Sequence, residues 1–323
     1  MHRYFCTYFD SNYLVYAKIL SESLNIYQPK HTLFIVCMDD KVFKELNSNP
    51  LPNSIVFAHK KLIEFRPSLI KIKQQRSLAE YFFTCSAQVC EFILNENPNI
   101  DLLNYIDTDL CFFSSPEPIF NELDGASVGI IPHRFHWTSK SKIKYGKFNV
   151  GWISFRNDIE GNKCVSEWAK NCIEWCFQRL EKGKYADQKY LNYWPDKYNN
   201  LKILNHKGAN LAVWNVKNYS IKMKEGKIFI DDQPLIFYHF AGLKQFSKRM
   251  FKTNLGSYFV TLDGILRENI YMPYIKKILG FQSQTVVSFI KESYQNKLLH
   301  LAKKVLNKFR TIAYKDTIEI KTI

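Results

Sequence analysis

The chain has 323 residues, of which 46% are hydrophobic and 23% charged, and 45 Lys and Arg stand against 30 Asp and Glu, a formal net charge of +15. This composition excludes an intrinsically disordered chain. The longest apolar stretch, 81–94, is too short and is interrupted by Gln88 and Glu91, which excludes a membrane span there.

Length and cysteine usage bound the organisation further. About 100–200 residues per domain is usual, so the chain has room for one large domain with an appendage, or for two domains. Residues 3–9 alternate like a first strand instead of forming the apolar core of a secretory signal, which predicts a cytosolic protein. The cysteines are scattered singly with no CxxC pair, so we expect reduced core residues.

The first 135 residues alternate between strand-like and helix-like patterns. The predicted strands are 4–9, 32–38, 55–59, 102–109 and 127–132. The predicted helices are 13–27, 42–47 and, in several pieces, 62–97. Such alternation predicts an α/β fold with a mostly parallel sheet and helices on both faces. Ligands of these sheets bind at the carboxyl ends of the strands.

The middle of the chain is mixed and its end is helical by pattern. Strands are predicted at 149–156, 201–205 and 235–240, helices at 163–183 and 187–194, and a hairpin around Glu225 and Gly226. We expect the remainder to be helical.

The tail carries much of the excess positive charge, since 240–310 holds 13 Lys and Arg against Asp263, Glu268 and Glu292. A basic excess favours polyanionic partners. Apolar residues spaced by three or four predict an amphipathic helix over 287–312. Its apolar stripe could lie on an anionic membrane, at the cytoplasmic face, or pack on the main domain while the lysines face water.

An apolar run, "NYIDTDLCFF" at 104–113, ends in two carboxylates one residue apart. Asp107 and Asp109 point to the same side if the segment is extended. Paired carboxylates suit a hard divalent cation. The alternative is an ordinary turn at the end of a strand.

Five stretches in one order resemble a known family. They are "TYFDSNY" at 7–13, "YIDTDLCFFSSP" at 105–116, "NVGWISFRN" at 149–157, "ADQKYLN" at 186–192 and "YHFAGLK" at 238–244. Together they resemble the GT-A glycosyltransferases, in particular the family 8-like enzymes that use nucleotide-sugar donors. The resemblance implies a GT-A domain over 1–255, followed by a helical, basic C-terminal region over 256–323.

The first stretch resembles the segment that holds the donor nucleotide in this family. The resemblance implies that Thr7, Asp10 and Asn12 contact the donor, the last two at its base or ribose. Tyr13 would stack on the base. Read alone, the same residues fit a helix N-terminus with an aromatic in its first turn.

The second and fifth stretches resemble the family's metal and diphosphate site. The resemblance implies Asp107, Asp109 and His239 as ligands of Mn²⁺ or Mg²⁺, with Asp107 also facing the donor. Gly242 would admit the diphosphate to the backbone. The family's lysine lies six residues after the histidine, but position 245 is Gln.

That departure leaves the phosphate ligand open. Lys244 lies one residue early and is our first choice, with Lys248 and Arg249 as alternatives.

The third and fourth stretches resemble the family's sugar-binding elements. Asn149 would hydrogen-bond the donor sugar, and Gly151 would let the backbone come close. Asp187 and Gln188 would lie beside the reactive carbon. Asp187 could bind sugar hydroxyls in a retaining enzyme or act as general base in an inverting one, and the resemblance favours retention.

The resemblance implies a metal-dependent hexosyltransferase with a UDP-sugar as the default donor and a saccharide or lipid-linked saccharide as acceptor, as in polysaccharide or lipopolysaccharide synthesis. An acceptor sugar could stack on Trp214, which follows a predicted strand. The alternatives are a nucleotidyltransferase, a non-catalytic polyanion or nucleic-acid binder, and an inactive relative. "TYFDSNY" lacks the Gly-rich, basic loop of the first. We expect no nucleic-acid partner, because the charge is concentrated in the tail.

Overall fold

The computed structural model describes residues 1–282 and 313–320. In chain order its strands are β1 (Arg3–Phe9), β2 (His31–Cys37), β3 (Ser54–Ala58), β4 (Leu102–Ile106), β5 (Leu110–Phe112), β6 (Val128–Pro132), β7 (Phe148–Arg156), β8 (Leu201–Ile203), β9 (Leu211–Ala212), β10 (Ile221–Lys224), β11 (Lys227–Ile230), β12 (Gln233–Pro234), β13 (Phe237–His239), β14 (Lys244–Ser247), β15 (Met250–Lys252) and β16 (Thr317–Glu319). Its α-helices are α1 (Leu14–Tyr27), α2 (Asp40–Ser48), α3 (His59–Phe65), α4 (Ser68–Gln75), α5 (Leu78–Glu96), α6 (Glu117–Leu123), α7 (Ile159–Glu174), α8 (Trp194–Lys197) and α9 (Met272–Gln282).

A seven-stranded sheet in the order β3-β2-β1-β4-β7-β6-β8 forms the centre of the molecule. All of its neighbouring pairs are parallel except those that β7 makes with β4 and β6. The carboxyl ends of β1, β4 and β6 therefore meet at one edge. The predicted α/β class, with a mixed and mostly parallel sheet flanked by helices, is confirmed.

Helices cover both faces of this sheet, which explains why β2 and β4 are apolar almost throughout. On one face α5 and α7 pack over the sheet with Cys85, Phe155 and Trp168 in the core. On the other face α1, α2 and α6 enclose Phe5 and Trp152. The cysteines are buried and unpaired, as expected.

A second, three-stranded sheet lies beyond the end of β4, in the order β5-β13-β9. β13 runs antiparallel to β5, with His239 opposite Leu110, and parallel to β9, with His239 opposite Ala212. This small sheet brings residues separated by more than 120 positions in sequence to the edge where β4 ends.

Two predictions in the middle of the chain have different outcomes. The hairpin is confirmed: Glu225 and Gly226 have φ of 50° and 73°, as a two-residue turn between twisted strands requires. The helix predicted at 163–183 instead spans Ile159–Glu174. It begins early because the Asp158 side chain accepts from the Gly161 N–H at 2.7 Å, and it ends where Trp175 becomes extended.

The expectation of a wholly helical end is wrong for 244–252, which form the hairpin β14–β15, joined by β16 from near the chain end. Phe251 and Ile318 are buried in one hydrophobic cluster. One face of the hairpin therefore packs on the main body. α9 lies against α1, where Lys277 pairs with Glu22. The helix predicted at 287–312 lies outside the described residues.

The described helices include none with the length and apolar character that crossing a bilayer requires.

The junction between β1 and α2 depends on one carboxylate. Asp39 accepts from the Val42 N–H at 2.8 Å and from the Ser11 N–H at 2.7 Å. We expect Asp39→Ala to lower the free energy of unfolding by about 1–2 kcal/mol, because two backbone donors lose their partner. Chemical denaturation measures the loss. Asp40→Ala, in the exposed first turn of the same helix, is the control; an equal loss in both variants would contradict the capping role.

Candidate active site

Asp107 and Asp109 lie where β4 leaves the central sheet and the chain continues into β5. Between them, Thr108 is buried with its hydroxyl 3.0 Å from that of Thr7 on β1. The two carboxylates are not on an extended strand, because β4 ends at Ile106 and the Leu110 N–H donates to the Asp107 carbonyl at 3.3 Å, which makes 107–110 a turn. Tyr105 donates its hydroxyl to Asp107 Oδ1 at 2.8 Å and holds that carboxylate in place.

His239 completes a cluster of three metal-ligating side chains. Its Nε2 lies 3.1 Å from Asp109 Oδ1 and 3.6 Å from Asp107 Oδ2. One ligand atom from each of the three residues lies within 4.8 Å of the others. The pairing of β13 with β5 produces this proximity, since Phe240 N–H donates to the Asp109 carbonyl at 3.0 Å.

The electrostatics of the cluster reflect its burial. Burial raises the pKa of Asp107, against the opposing effect of His239, and Asp109 raises it further. Burial alone would lower the pKa of His239, but the two carboxylates together outweigh it and the pKa is raised. Two carboxylates and one imidazole nitrogen form a donor set that suits Mn²⁺ or Mg²⁺, and a cation there would relieve the repulsion between the carboxylates.

Asn149 and Gly151, on β7, line the adjacent wall. The Asn149 side chain is buried, accepts from the Gly151 N–H at 3.0 Å and contacts His133 Nε2 at 3.3 Å. A Cβ on Gly151 would lie 2.5 Å from Asn149 Oδ1 and 2.7 Å from His239 Nδ1. Position 151 therefore requires glycine for steric reasons.

Asp187 is buried behind the cluster. Ser86 donates to its Oδ2 at 2.7 Å, and the Ser86 hydroxyl in turn contacts that of Tyr8 at 2.9 Å. Burial raises the pKa of Asp187 to about 7; the Ser86 hydrogen bond lowers it and the negative charge of Asp107 raises it. Gln188 donates to the Tyr145 carbonyl at 3.1 Å.

The predicted nucleotide segment follows β1. Asp10 accepts from the Asn12 N–H at 3.0 Å and from its side-chain amide at 3.1 Å, and Tyr13 is 44% exposed, so one ring face is accessible. Thr7 is 1% exposed and its hydroxyl lies against that of Thr108, so it packs beneath the acidic motif. Its contact with a donor stays a prediction.

Gly242 forms the turn after β13. Its φ is +75°, and a Cβ there would lie 2.5 Å from Asn254 Nδ2, so both conformation and space require glycine. Lys244 follows on β14 with its side chain exposed. The choice among Lys244, Lys248 and Arg249 stays a prediction.

The expected exposed platform at Trp214 is wrong in its geometry. The indole is 5% exposed and its ring lies 5.1 Å from those of both His133 and His239, edge to face. The ring packs against His239 from the side, and a contact with an acceptor sugar stays a prediction. The loop position had suggested exposure, but β9 carries the ring into the small sheet.

Sequence reasoning missed the residues that hold the site together, namely Tyr8, Ser86, Tyr105 and His133. Each lies in a strand or helix, or just after one. The apolar pattern of that element accounts for the residue without a functional site. Tyr8 and Tyr105 lie within the first and second motif stretches, but the motifs assign no role to them. Ser86 and His133 lie outside all five stretches, and no spacing in the chain connects them to the motifs.

The fold and the cluster define an α/β protein with a carboxylate and histidine centre at the carboxyl edge of a mostly parallel sheet. No protein-family model matches the chain. It is 33% identical over 249 residues to the uncharacterized protein YfnD of Bacillus subtilis, which covers 75% of this chain and 78% of YfnD. It is 32% identical over 251 residues to the uncharacterized YfnF of the same organism, covering 74% and 81%. The chain belongs to the family of YfnD and YfnF.

Solved structures similar to the chain include two transferases. Mouse xyloside xylosyltransferase 1 has a TM-score of 0.44 and 14% identity, covering 75% of this chain and 98% of that one. The galactosyltransferase LgtC, in complex with donor and acceptor sugar analogues, has a TM-score of 0.46 and 15% identity, covering 75% and 87%.

We expect Gly151→Ala to abolish or strongly weaken divalent-metal binding, because the new methyl group must displace the Asn149 amide or the His239 ring. Titration calorimetry with Mn²⁺ measures the affinity. Gly280→Ala, where a Cβ meets nothing within 4 Å, is the matched control. Unchanged Mn²⁺ affinity in the folded Gly151→Ala variant would show that the ring position does not matter.

We expect the buried carboxyl of Asp187 to make the folded state less stable as pH rises. Its native pKa of about 7 exceeds the 3.8 of an unfolded aspartate, so the native state binds more protons between about pH 4 and pH 7 and loses stability across that window. Going from pH 4 to pH 8, Asp187→Asn should gain up to about 4 kcal/mol relative to the wild type in metal-free buffer.

Urea denaturation at the two pH values tests this. Asp196→Asn, an exposed carboxylate on α8, should track the wild type at both. Parallel pH curves for Asp187→Asn and the wild type would refute a raised pKa.

Proposed function

We propose that the protein is a metal-dependent glycosyltransferase that moves a sugar from a nucleoside-diphosphate donor to an acceptor hydroxyl. The observation that carries the proposal is the Asp107, Asp109 and His239 cluster at the carboxyl edge of the sheet, with its ligand atoms within 4.8 Å of one another. Ligands of open α/β sheets bind at this edge. The resemblance of five ordered motifs supports the same assignment.

Asp107, Asp109 and His239 would hold a divalent cation, Mn²⁺ or Mg²⁺, against the diphosphate. Once bound, the cation supplies positive charge to the leaving nucleoside diphosphate as a Lewis acid. Tyr105 keeps one ligand oriented through its hydrogen bond to Asp107 Oδ1. Gly151 leaves the room that the His239 ring needs.

The donor would lie between the segment after β1 and the turn after β13. The half-exposed Tyr13 ring would stack on the base, and Asp10 and Asn12 would contact base or ribose. The backbone at Gly242, in its left-handed conformation, would approach the diphosphate. Lys244, on the strand that follows this turn, would neutralise part of its charge.

The donor sugar would lie between β7 and the segment that follows α7. The Asn149 amide would bind one of its hydroxyls, held by Gly151 and His133. Asp187, already hydrogen-bonded to Ser86 and nearly enclosed, suits a hydroxyl-binding role better than proton abstraction from a bulky acceptor. We therefore propose a retaining reaction with Gln188 near the anomeric carbon, and a hexosyl group from a UDP-sugar as the donor.

The acceptor is proposed to be a saccharide or lipid-linked saccharide. A peripheral position on an anionic membrane would rest on the basic segment 287–312, for which the sequence predicts an amphipathic helix and which lies outside the described residues. The division into a transferase domain over 1–255 and a C-terminal region over 256–323 also stays a proposal.

Thermal unfolding with Mn²⁺ and UDP, GDP or CDP tests the donor site. A ligand that binds only the folded state stabilises it by about 2.7 kcal/mol at a hundredfold excess over its Kd. We expect one nucleotide to raise the Tm, and we expect this shift to need Mn²⁺ and to vanish in Asp109→Asn. The control Asp40→Asn, at the exposed start of α2, should keep it. No metal-dependent shift with any nucleotide would overturn the proposed function.

A further inference from the structure

The segment 133–147, between β6 and β7, crosses the sugar end of the candidate site. At its start, His136 N–H donates to the Trp214 carbonyl at 3.1 Å, and the Trp214 ring lies against His239. At its end, the Tyr145 carbonyl accepts from Gln188 at 3.1 Å. The segment is thus bonded on one side to Trp214, which packs against His239, and on the other to Gln188, which we place beside the reactive carbon.

The middle of this segment exposes an aromatic side chain. Trp137 is 77% exposed, whereas Trp152, Trp168, Trp194 and Trp214 are all 5% exposed or less. Its backbone position is fixed by its neighbour, since the His136 ring contacts the Thr138 hydroxyl at 2.8 Å. A large apolar ring held in water at the rim of a site is typical of a stacking surface, because covering it removes apolar area from water.

The same segment is strongly basic. Residues 133–147 contain Arg134 and four lysines, Lys140, Lys142, Lys144 and Lys147, and no carboxylate. Lys140, Lys144 and Lys147 are exposed. Lys189 adds another cation, since its ammonium group donates to the Lys144 carbonyl at 2.8 Å. Positive charge concentrated on a surface attracts anionic ligands. A neutral sugar would make no use of this charge.

This charge lies at a different part of the site from the donor phosphates. The diphosphate belongs at Asp107, Asp109, His239 and the Gly242 turn, which carries its own lysine on β14. Segment 133–147 contacts Gln188 instead, and a Cβ on Gly146 would lie 3.1 Å from the Gln188 side chain. The lysines therefore belong to the segment that contacts Gln188, and not to the Gly242 turn.

We propose that the acceptor is an anionic saccharide, carrying carboxylate or phosphate groups, whose ring stacks on Trp137 and whose charges meet Lys140 and Lys144. The inference rests on the proposed glycosyltransferase function and names the chemical class of its acceptor. It also replaces the buried Trp214 with an exposed aromatic at the same end of the site.

Binding of two matched probes to the full-length protein with Mn²⁺ and UDP tests the proposal. A hyaluronan hexasaccharide carries carboxylates on alternate sugars, and maltohexaose is neutral and of equal length. We expect calorimetry to show roughly tenfold tighter binding of the anionic probe at low salt, since several exposed charge pairs each contribute modestly. The preference should shrink at 0.5 M NaCl, because the Debye length is then only about 4 Å and exposed charges are largely screened from one another.

Two variants locate the effect. Lys140→Gln/Lys144→Gln should remove most of the preference, and Trp137→Ala should weaken both probes several-fold. Lys163→Gln/Lys170→Gln removes the same charge from the exposed surface of α7 and should leave the preference intact.

The outcomes separate this inference from the proposed function. The thermal shift with Mn²⁺ and nucleotide is measured on the same wild-type samples. A normal nucleotide shift with equal binding of the two probes, or equal losses in the two double-lysine variants, would overturn the anionic acceptor alone. The absence of any nucleotide shift would overturn the glycosyltransferase function and this inference with it.

Discussion

The candidate site depends on one electrostatic constraint, the partial burial of two neighbouring carboxylates at the point where β4 leaves the central sheet. Loss of solvation raises the pKa of Asp107, and the negative charge of Asp109 raises it further. The small sheet places the His239 imidazole 3.1 Å from Asp109, where it partly compensates the negative charge. A divalent cation would compensate the charge of the two carboxylates more fully than one imidazole does, so the three side chains are suited to bind a metal ion.

Around this centre, the polar groups hold one another in position. Tyr105 orients Asp107, Ser86 orients Asp187, and His133 lies within contact of the Asn149 amide. Inside a protein such hydrogen bonds are strong, and an unmade one is costly. Asp107, Asp187 and Asn149 are therefore each backed by a buried partner, and this limits the freedom of these three side chains.

The opposite side of the site has a different character. Segment 133–147 is anchored at both ends, yet between the anchors it exposes Trp137 and a series of lysines. In the proposed function, the buried half would bind the donor and the exposed, basic half would bind the acceptor. The donor half resembles a known family in its motifs, whereas the exposed half is where members of one fold can differ in what they accept.

The sequence by itself determined the fold class, because the alternation of buried strands and helices is a local pattern that each segment carries alone. It also determined the acidic pair and the histidine, since their order along the chain resembled a family. Only the tertiary structure decided that Trp214 is buried, that Thr7 lies beneath Thr108, and that Trp137 is exposed at the rim. Those facts depend on which strands pair, and on the register that sets His239 opposite Leu110. Side-chain exposure follows from contacts between distant segments, which no local pattern contains.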